Sequence, residues 1–381
     1  MRDPSTSSQN QPGDQRFSAP RRTPLYEAQQ GDRYERQRLI REIQEEVDRH
    51  VICYIGGKRT EIDRDDILGF RDLLCRIEPG GNVDLVLHSG GGDIDAAEKL
   101  ISMVRHTVKD GELRVIVPHY AKSAATLMAL GADSIVMSDT SELGPIDPQV
   151  PFPDGQGGWM LYSALSYLEA HRRFTEELRR NPGDASVQIL FNKFQPHEVV
   201  EIERAEQRTR HLAEGLLKTG MMAGQPVTAP VSSLMNINTW HTHGHVISAE
   251  DAQAIGLTVT RERPDDPMWA KYWKLYCLQH LVVGDDKKLF ESDFVSLTVA
   301  GVCSPDPRSS VVACIRLLRD QLGLQLGVRR PAPPTSRIRQ HFWPDPTVQT
   351  SLATSRGSLH LPWIDTSIGP LDRNLPMTPR A

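Results

Sequence analysis

Two turns between a predicted strand and a predicted helix constrain the fold of this chain most strongly. The first, Ser89–Asp93, follows the apolar run Val83–Leu87 and contains three consecutive glycines. The second carries Ser123; it follows the apolar run Leu113–Val117 and opens an apolar helix. Strands that alternate with helices at this spacing pair in parallel through right-handed crossovers. The two turns therefore predict an α/β protein with a parallel sheet that brings both turns to one edge.

Hydrophobic periodicity extends this pattern along most of the chain. The predicted strands are Val51–Ile55, Val83–Leu87, Leu113–Val117 and Ser134–Met137. The predicted helices are Tyr34–His50, Asp63–Ile77, Ile94–Val108, Ser123–Ala132, Leu161–Arg180, Pro196–Met222, Ser248–Ile255, Pro267–Leu281 and Ser309–Leu324. The alternation stops after Met137, where Glu142–Gln149 is rich in turn residues and Pro151–Gly158 is predicted to be a flexible loop.

Composition excludes several classes of function. A formal net charge of −5 argues against a general nucleic-acid-binding surface, so we expect no nucleic-acid partner. The five cysteines are scattered without a CxxC pair, which predicts reduced thiols rather than a disulfide framework or a zinc site. The chain has no apolar signal-peptide core and no apolar run long enough for a transmembrane segment. We therefore expect a cytoplasmic protein.

Ser123 is the candidate nucleophile, because the turn directs its hydroxyl toward the sheet edge at which α/β proteins place their sites. The backbone N–H of Ala124, at the helix N-terminus, is one candidate oxyanion donor. Gly91 and Gly92 are candidates for the second donor, since glycine presents its N–H with no Cβ in the way. A serine at this position also commonly caps its helix, and a triple glycine also forms ordinary turns. The glycine loop lacks the residues of a phosphate-binding loop, so we expect no nucleotide and no other cofactor.

A serine nucleophile needs a proton acceptor, and two candidates remain open. Lys193 lies between Phe191 and Phe194, and apolar neighbours of that kind would depress the pKa of its amine, although a snorkelling lysine is the commoner outcome. His243 has a suitable intrinsic pKa, although a surface-loop histidine is also common.

Further polar residues in the sequence bear on these candidates. His241, His243 and His245 alternate, but no fitting acidic or thiol ligand accompanies them, and we expect no metal. Asp147 or Glu142 could orient a base, although Asp147 between Ile146 and Pro148 is more typical of an Asx turn. Lys122 is adjacent to the serine and is not expected to reach its hydroxyl, but it would raise the local positive potential.

The order of motifs resembles a known family. It runs strand, His-Ser-x-Gly-Gly, helix, strand, Val-Pro-x-x-Ala-x-Ser-Ala-x-Thr, helix, Ala-Asp-x-Ile-Val-Met, Leu-Gly-Pro-Ile-Asp-Pro-Gln. This order is similar to the serine dehydrogenase proteinase family, relatives of signal peptide peptidase A in the Clp protease and crotonase superfamily, over Pro24–Val299. The resemblance implies a ClpP/crotonase-like β-α spiral core with a parallel sheet and added C-terminal helices. It also implies a nucleophile at Ser123, an oxyanion hole from the Gly91/Gly92 loop with Ala124, and a homo-oligomer.

The general base is absent from the positions that the resemblance would suggest. Clp-type peptidases carry a histidine downstream of the serine, where this chain has Ile146–Pro148. Signal peptide peptidases carry a lysine at the start of the next long helix, which here begins near Leu161–Ser163. Lys122 also replaces a residue that is usually apolar in relatives.

The predicted organisation has four parts. Residues 1–33 form a disordered arm, residues 34–300 a ClpP/crotonase-like serine protease domain, residues 301–326 a helical extension, and residues 327–381 an unstructured tail. The leading hypothesis is a serine peptidase that acts on peptide or protein substrates, membrane-associated ones included, through an acyl-enzyme. The alternative is a catalytically silent ClpP-fold scaffold or binding protein. A crotonase-type acyl-CoA enzyme ranks last, because it needs no serine nucleophile.

Overall fold

A seven-stranded sheet forms the centre of the computed structural model, which describes residues 23–153 and 158–301. The strands of the described chain are β1 (His50–Gly56), β2 (Val83–His88), β3 (Leu113–Ile116), β4 (Tyr120–Ala121), β5 (Ser134–Met137), β6 (Glu142–Leu143), β7 (Gln149–Pro153), β8 (Trp159–Ser163), β9 (Val259–Arg261), β10 (Lys287–Glu291) and β11 (Ser296–Ala300). The main sheet has the order β11-β10-β1-β2-β3-β5-β9. Strands β1, β2, β3, β5 and β9 run parallel, as the alternation of strands and helices predicted.

Helices cover both faces of this sheet. They are α1 (Pro24–Gln29), α2 (Gly31–Val47), α3 (Asp66–Leu74), α4 (Ile94–Val108), α5 (Ala124–Leu130), α6 (Ala164–Arg180), α7 (Ala185–Phe191), α8 (Pro196–Thr219), α9 (Thr228–Leu234), α10 (Ile237–Trp240), α11 (Ala249–Ala254) and α12 (Pro267–Val283). Alternate residues of β1 enter opposite cores: Ile52 and Tyr54 pack with α3, α4 and α5, whereas Val51 and Cys53 pack with α2 and α12. Every residue of β2 is buried, as expected for a parallel strand covered on both faces. The α/β fold class is confirmed.

Two antiparallel strands, β10 and β11, extend the sheet beyond β1 and escaped the sequence analysis. The reason is visible in β10, which contains the charged residues Lys288 and Glu291 although both are buried. Lys288 Nζ donates to Asp66 Oδ1 at 2.8 Å, and Arg36 Nε donates to Glu291 Oε2 at 2.9 Å. Paired charges therefore occupy positions at which hydrophobic periodicity expects apolar side chains.

The predicted N-terminal arm is too long. Helix α1 begins at Pro24, with Thr23 Oγ1 accepting from the N–H of Tyr26, and α2 begins at Gly31 rather than Tyr34. A proline in the first turn fits helix geometry, because its missing N–H would have no intrahelical partner. The rest of the predicted arm, residues 1–22, lies outside the described residues. So do the predicted helix Ser309–Leu324, the extension after Gly301 and the tail 327–381.

Part of the segment predicted as a flexible loop, residues 151–153, belongs instead to strand β7, and residues 154–157 of that segment lie outside the described residues. Strands β7 and β8 pair antiparallel, with Val150 opposite Tyr162 and Phe152 opposite Met160. The hairpin takes up the residues that were assigned to the start of the next helix, so α6 begins at Ala164 instead of Leu161. None of the helices in the described ranges is long and apolar enough to cross a membrane.

Candidate active site

Ser123 occupies a strained backbone turn at the start of α5. Its φ of 53° and ψ of −118° lie outside the regions that non-glycine residues normally adopt. Although Ser123 stands at the N-cap position, its side chain makes no capping hydrogen bond. Helix capping therefore does not account for this serine. Strain of this kind tends to persist at functional sites, where the surrounding structure holds the residue in place.

The glycine loop lies directly against this turn. The Ser89 N–H donates to the Tyr120 carbonyl at 3.1 Å, and the Lys122 N–H donates to the Ser89 carbonyl at 3.0 Å. At Gly91, where φ is 106°, an added Cβ would lie 2.8 Å from the Cβ of Ser123 and 2.8 Å from the Lys122 carbonyl oxygen. Only glycine fits between the two backbones at this position.

The N–H groups of the loop differ in their availability. The Gly91 N–H donates to Ser89 Oγ at 3.1 Å, so this predicted oxyanion donor is already engaged. The Ile62 N–H donates to the Gly91 carbonyl, and the Asp93 N–H donates to the Ile62 carbonyl. Neither hydrogen bond uses the N–H of Gly92. Ala124 is the first residue of α5, where an N–H has no intrahelical partner. Gly92 and Ala124 are therefore the better pair of candidate oxyanion donors.

Substitution of Gly91 by alanine is expected to lower the reactivity of Ser123 about 100-fold, because the new Cβ would displace the serine by a fraction of an ångström or more. The measurement is the second-order rate constant for covalent labelling by a fluorophosphonate. Gly90→Ala is the matched control, since a Cβ at Gly90 meets no atom within 4 Å. Equal rates for the two variants would show that the close approach at Gly91 has no bearing on the serine.

A histidine–carboxylate pair forms between two segments, and hydrogen bonds from Lys122 connect both segments to this turn. His243 Nδ1 is 2.7 Å from Asp147 Oδ1, and the Asp147 residue is only 3% exposed. The other carboxylate oxygen, Oδ2, accepts from Gln149 Nε2 at 2.8 Å. A buried carboxylate at Nδ1 favours the tautomer in which Nδ1 carries the proton and Nε2 is free to accept one. Asp147 thus contacts two side chains, one of them the candidate base, which fits the alternative that Asp147 orients a base.

One ladder of short strands connects the segments that carry the glycine loop, the serine and this pair. Ser89 bridges to Ala121 of β4, β4 pairs in parallel with β6, and Leu143 of β6 bridges to Ile247. Ser123 follows β4, Asp147 follows β6, and His243 precedes Ile247 by four residues. The sequence gives little sign of this arrangement, because 96 residues separate the aspartate from the histidine.

The other candidate base is in a different environment. Lys193 lies in the turn between α7 and α8, and its N–H donates to the Leu190 carbonyl at 3.2 Å. Its side chain is exposed, while Phe191 and Phe194 pack on His171. The apolar burial on which the candidacy of Lys193 depended is therefore not found.

The three alternating histidines do not converge. His243 contacts Asp147, whereas the ring of His245 packs on Trp240 with centroids 5.0 Å apart. His241 is exposed and adopts a left-handed conformation with φ 61°. Over the described ranges, no group of three or more His, Cys, Asp or Glu side chains is placed to hold a metal ion.

A buried histidine at the end of β2 was missed by the sequence analysis. His88 stacks on His119 with centroids 5.4 Å apart and lies near the rings of Tyr120, Tyr276 and His280. Its Nδ1 faces the Tyr120 N–H at 3.4 Å, and its Nε2 faces the Tyr276 hydroxyl at 3.4 Å. Burial lowers the pKa of His88 to about 3, and the neighbouring histidines add to the effect. The residue therefore packs as a neutral ring among these aromatic side chains.

This histidine predicts a loss of stability in acid. Below the ordinary pKa of 6.5, His88 is protonated in the unfolded chain. In the folded chain it stays neutral down to about pH 3. The contribution to the free energy of unfolding therefore falls by up to about 1.4 kcal/mol per pH unit across this window. Burial also lowers the pKa of His119, which adds in the same direction. Urea unfolding at several pH values measures how the free energy of unfolding changes with pH. This pH dependence should be smaller for His88→Gln than for the exposed control His106→Gln, and an identical pH dependence would contradict the prediction.

The described part of the chain is an α/β protein with a parallel core and a strained serine turn against a glycine loop. The chain belongs to the family described as ClpP-like SDH-type serine proteinase, whose model matches residues 23–276. This match confirms the resemblance to the serine dehydrogenase proteinase family.

Two relatives come from the archaeon Methanocaldococcus jannaschii. Uncharacterized protein MJ0137 is 31% identical over 184 residues, which make up 48% of this chain and 55% of that protein. Uncharacterized protein MJ1495 is 28% identical over 243 residues, 60% of this chain and 73% of that protein. The chain thus spans little more than half the length of the first of these relatives.

Proposed function

We propose that this protein is a serine peptidase that cleaves peptide bonds through an acyl-enzyme on Ser123. The observation that carries the proposal is the strained backbone of Ser123 and its close packing against Gly91. A Cβ added at Gly91 would lie only 2.8 Å from the Cβ of Ser123. A nucleophile held at a tight turn beside free backbone N–H groups suits the attack on a carbonyl carbon. Membership of a serine proteinase family supports the same chemistry.

The proposed reaction has two steps. Ser123 Oγ forms a bond to the carbonyl carbon of the substrate, His243 Nε2 accepts the hydroxyl proton, and Asp147 stabilises the imidazolium. The N–H groups of Gly92 and Ala124 stabilise the oxyanion. The carbon–nitrogen bond then breaks, and the imidazolium gives its proton to the departing amine. In the second step His243 Nε2 takes a proton from a water molecule whose oxygen bonds to the carbonyl carbon of the ester. The bond between that carbon and Ser123 Oγ then breaks, the imidazolium returns its proton to Oγ, and the carboxylic acid product leaves.

The substrate and setting are also proposals. An unfolded or membrane-derived peptide is the proposed substrate, by resemblance to signal peptide peptidases, and the assembly is a homo-oligomer. Cys53, Cys75 and Cys277 are free thiols, which supports a reducing compartment such as the cytoplasm. The oligomeric state is measured by light scattering of the purified full chain.

The test combines labelling with peptide hydrolysis. The full chain is treated with a fluorophosphonate at neutral to alkaline pH, the adduct is mapped by mass spectrometry, and cleavage of an unfolded protein and a peptide library is followed. We expect a single adduct on Ser123, absent from heat-denatured protein, together with cleavage. An adduct on Ser123 without peptide cleavage would indicate a serine hydrolase that is not a peptidase. Native protein that stays unlabelled would instead favour the catalytically silent scaffold.

A further inference from the structure

Lys122 precedes the nucleophile, and its ammonium is fully engaged elsewhere. Lys122 Nζ donates to Glu142 Oε2 at 2.8 Å, to the Leu143 carbonyl at 3.0 Å and to the His245 carbonyl at 2.9 Å. A lysine ammonium has three protons, and each has a partner here. An amine in this state has no lone pair to offer, so Lys122 is not a candidate base for Ser123.

The acceptors of Lys122 belong to the two segments that carry the histidine–aspartate pair. Glu142 and Leu143 form β6, the strand that leads to Asp147, and His245 lies two residues after His243. The stem of Lys122 is held as well, because a Cβ at Gly144 would lie 2.7 Å from Lys122 Cδ. The Lys122 side chain is only 16% exposed, so solvent competes weakly for these charge-assisted bonds. One side chain thus ties the nucleophile turn to both partner segments.

We propose that Lys122 is a positioning residue that holds the His243–Asp147 pair in register with Ser123. The inference rests on the proposed function and adds to it a residue that does not touch the reacting atoms. The backbone holds the His243 segment less firmly than it holds β6, because Ile247 meets Leu143 in an isolated bridge whereas β6 pairs with β4. A shift of about 1 Å between a base and its nucleophile is enough to lower a rate about 100-fold.

The first variant is Lys122→Met, which keeps most of the length of the side chain and removes all three hydrogen bonds. We expect labelling of Ser123 and kcat for peptide cleavage to fall about 10- to 100-fold while KM stays nearly constant. Lys122→Arg retains the charge and part of the hydrogen bonding and should recover part of the rate. The control is Lys218→Met, which removes a mostly exposed lysine whose ammonium lies 3.4 Å from Glu214.

A double-mutant cycle with His243→Asn separates positioning from a general structural role. If Lys122 acts through the histidine, Lys122→Met should slow the His243→Asn variant little further. If the double variant is folded and labelled but is slower by the product of the two single effects, Lys122 does not act through His243. This result would overturn the inference and leave the proposed function intact. A wild-type protein that is never labelled would overturn the proposed function and this inference with it.

A second variant covers the case in which Lys122→Met fails to fold. Glu142→Gln keeps an oxygen acceptor and removes only the ion pair, so the two carbonyl contacts remain. We expect a fall of about threefold that is likewise absent in the His243→Asn background. An unchanged rate for Glu142→Gln together with an unchanged rate for Lys122→Arg would overturn the proposal.

Discussion

Replacement of Ser123 by alanine is expected to abolish labelling by a fluorophosphonate and to lower peptide hydrolysis on the order of 10⁶-fold. The physical reason is that Oγ is the atom proposed to form the covalent bond, and the substitution removes that atom alone. The backbone remains in the same strained conformation, because alanine also carries a Cβ. Labelling rates and hydrolysis of an unfolded protein measure the effect.

A second variant shows that the loss is chemical and not a loss of folding. Ser123→Gly is also expected to be unreactive, but glycine accepts a φ of 53° without strain. We expect it to be more stable than Ser123→Ala by about 1 kcal/mol in urea unfolding. Persistent labelling of Ser123→Ala at another residue would contradict the assignment of the nucleophile.

Removal of the histidine–aspartate pair is expected to have the next largest effect. His243→Asn and Asp147→Asn should each slow labelling and hydrolysis about 10³- to 10⁴-fold. The histidine is the proposed proton acceptor, and the aspartate fixes its tautomer through the 2.7 Å contact at Nδ1. The double variant should be no slower than the slower single variant, because the two residues act as a unit.

The matched control is His241→Asn, which changes an exposed histidine in the same loop. It should leave the rate within about twofold of wild type. A full rate in His243→Asn would place the base elsewhere, and Lys193→Met is then the variant to measure. A low rate in His241→Asn as well would indicate that the loop as a whole, and not the His243 imidazole, is required.

Local patterns predicted much of the fold and supplied part of the candidate site. The boundaries of α4 and β5 match the predicted ranges, because apolar periodicity and the Asp93 cap are contained in short segments. The two turns at Gly91 and Ser123 come to one sheet edge, as parallel pairing requires. Strand β10 was missed because its buried Lys288 is neutralised by partners more than 200 residues away.

The amino-acid sequence by itself determined the parallel α/β core, the family and the serine turn beside its glycine loop. These features depend on hydrophobic periodicity and on glycines that act within a few residues of one another. Only the tertiary structure decided that His243 meets Asp147, that Lys122 joins both segments to the nucleophile turn, and that Lys193 is exposed. Such contacts depend on the pairing of β4 with β6 and of Leu143 with Ile247. A local sequence pattern does not indicate which distant strands will pair.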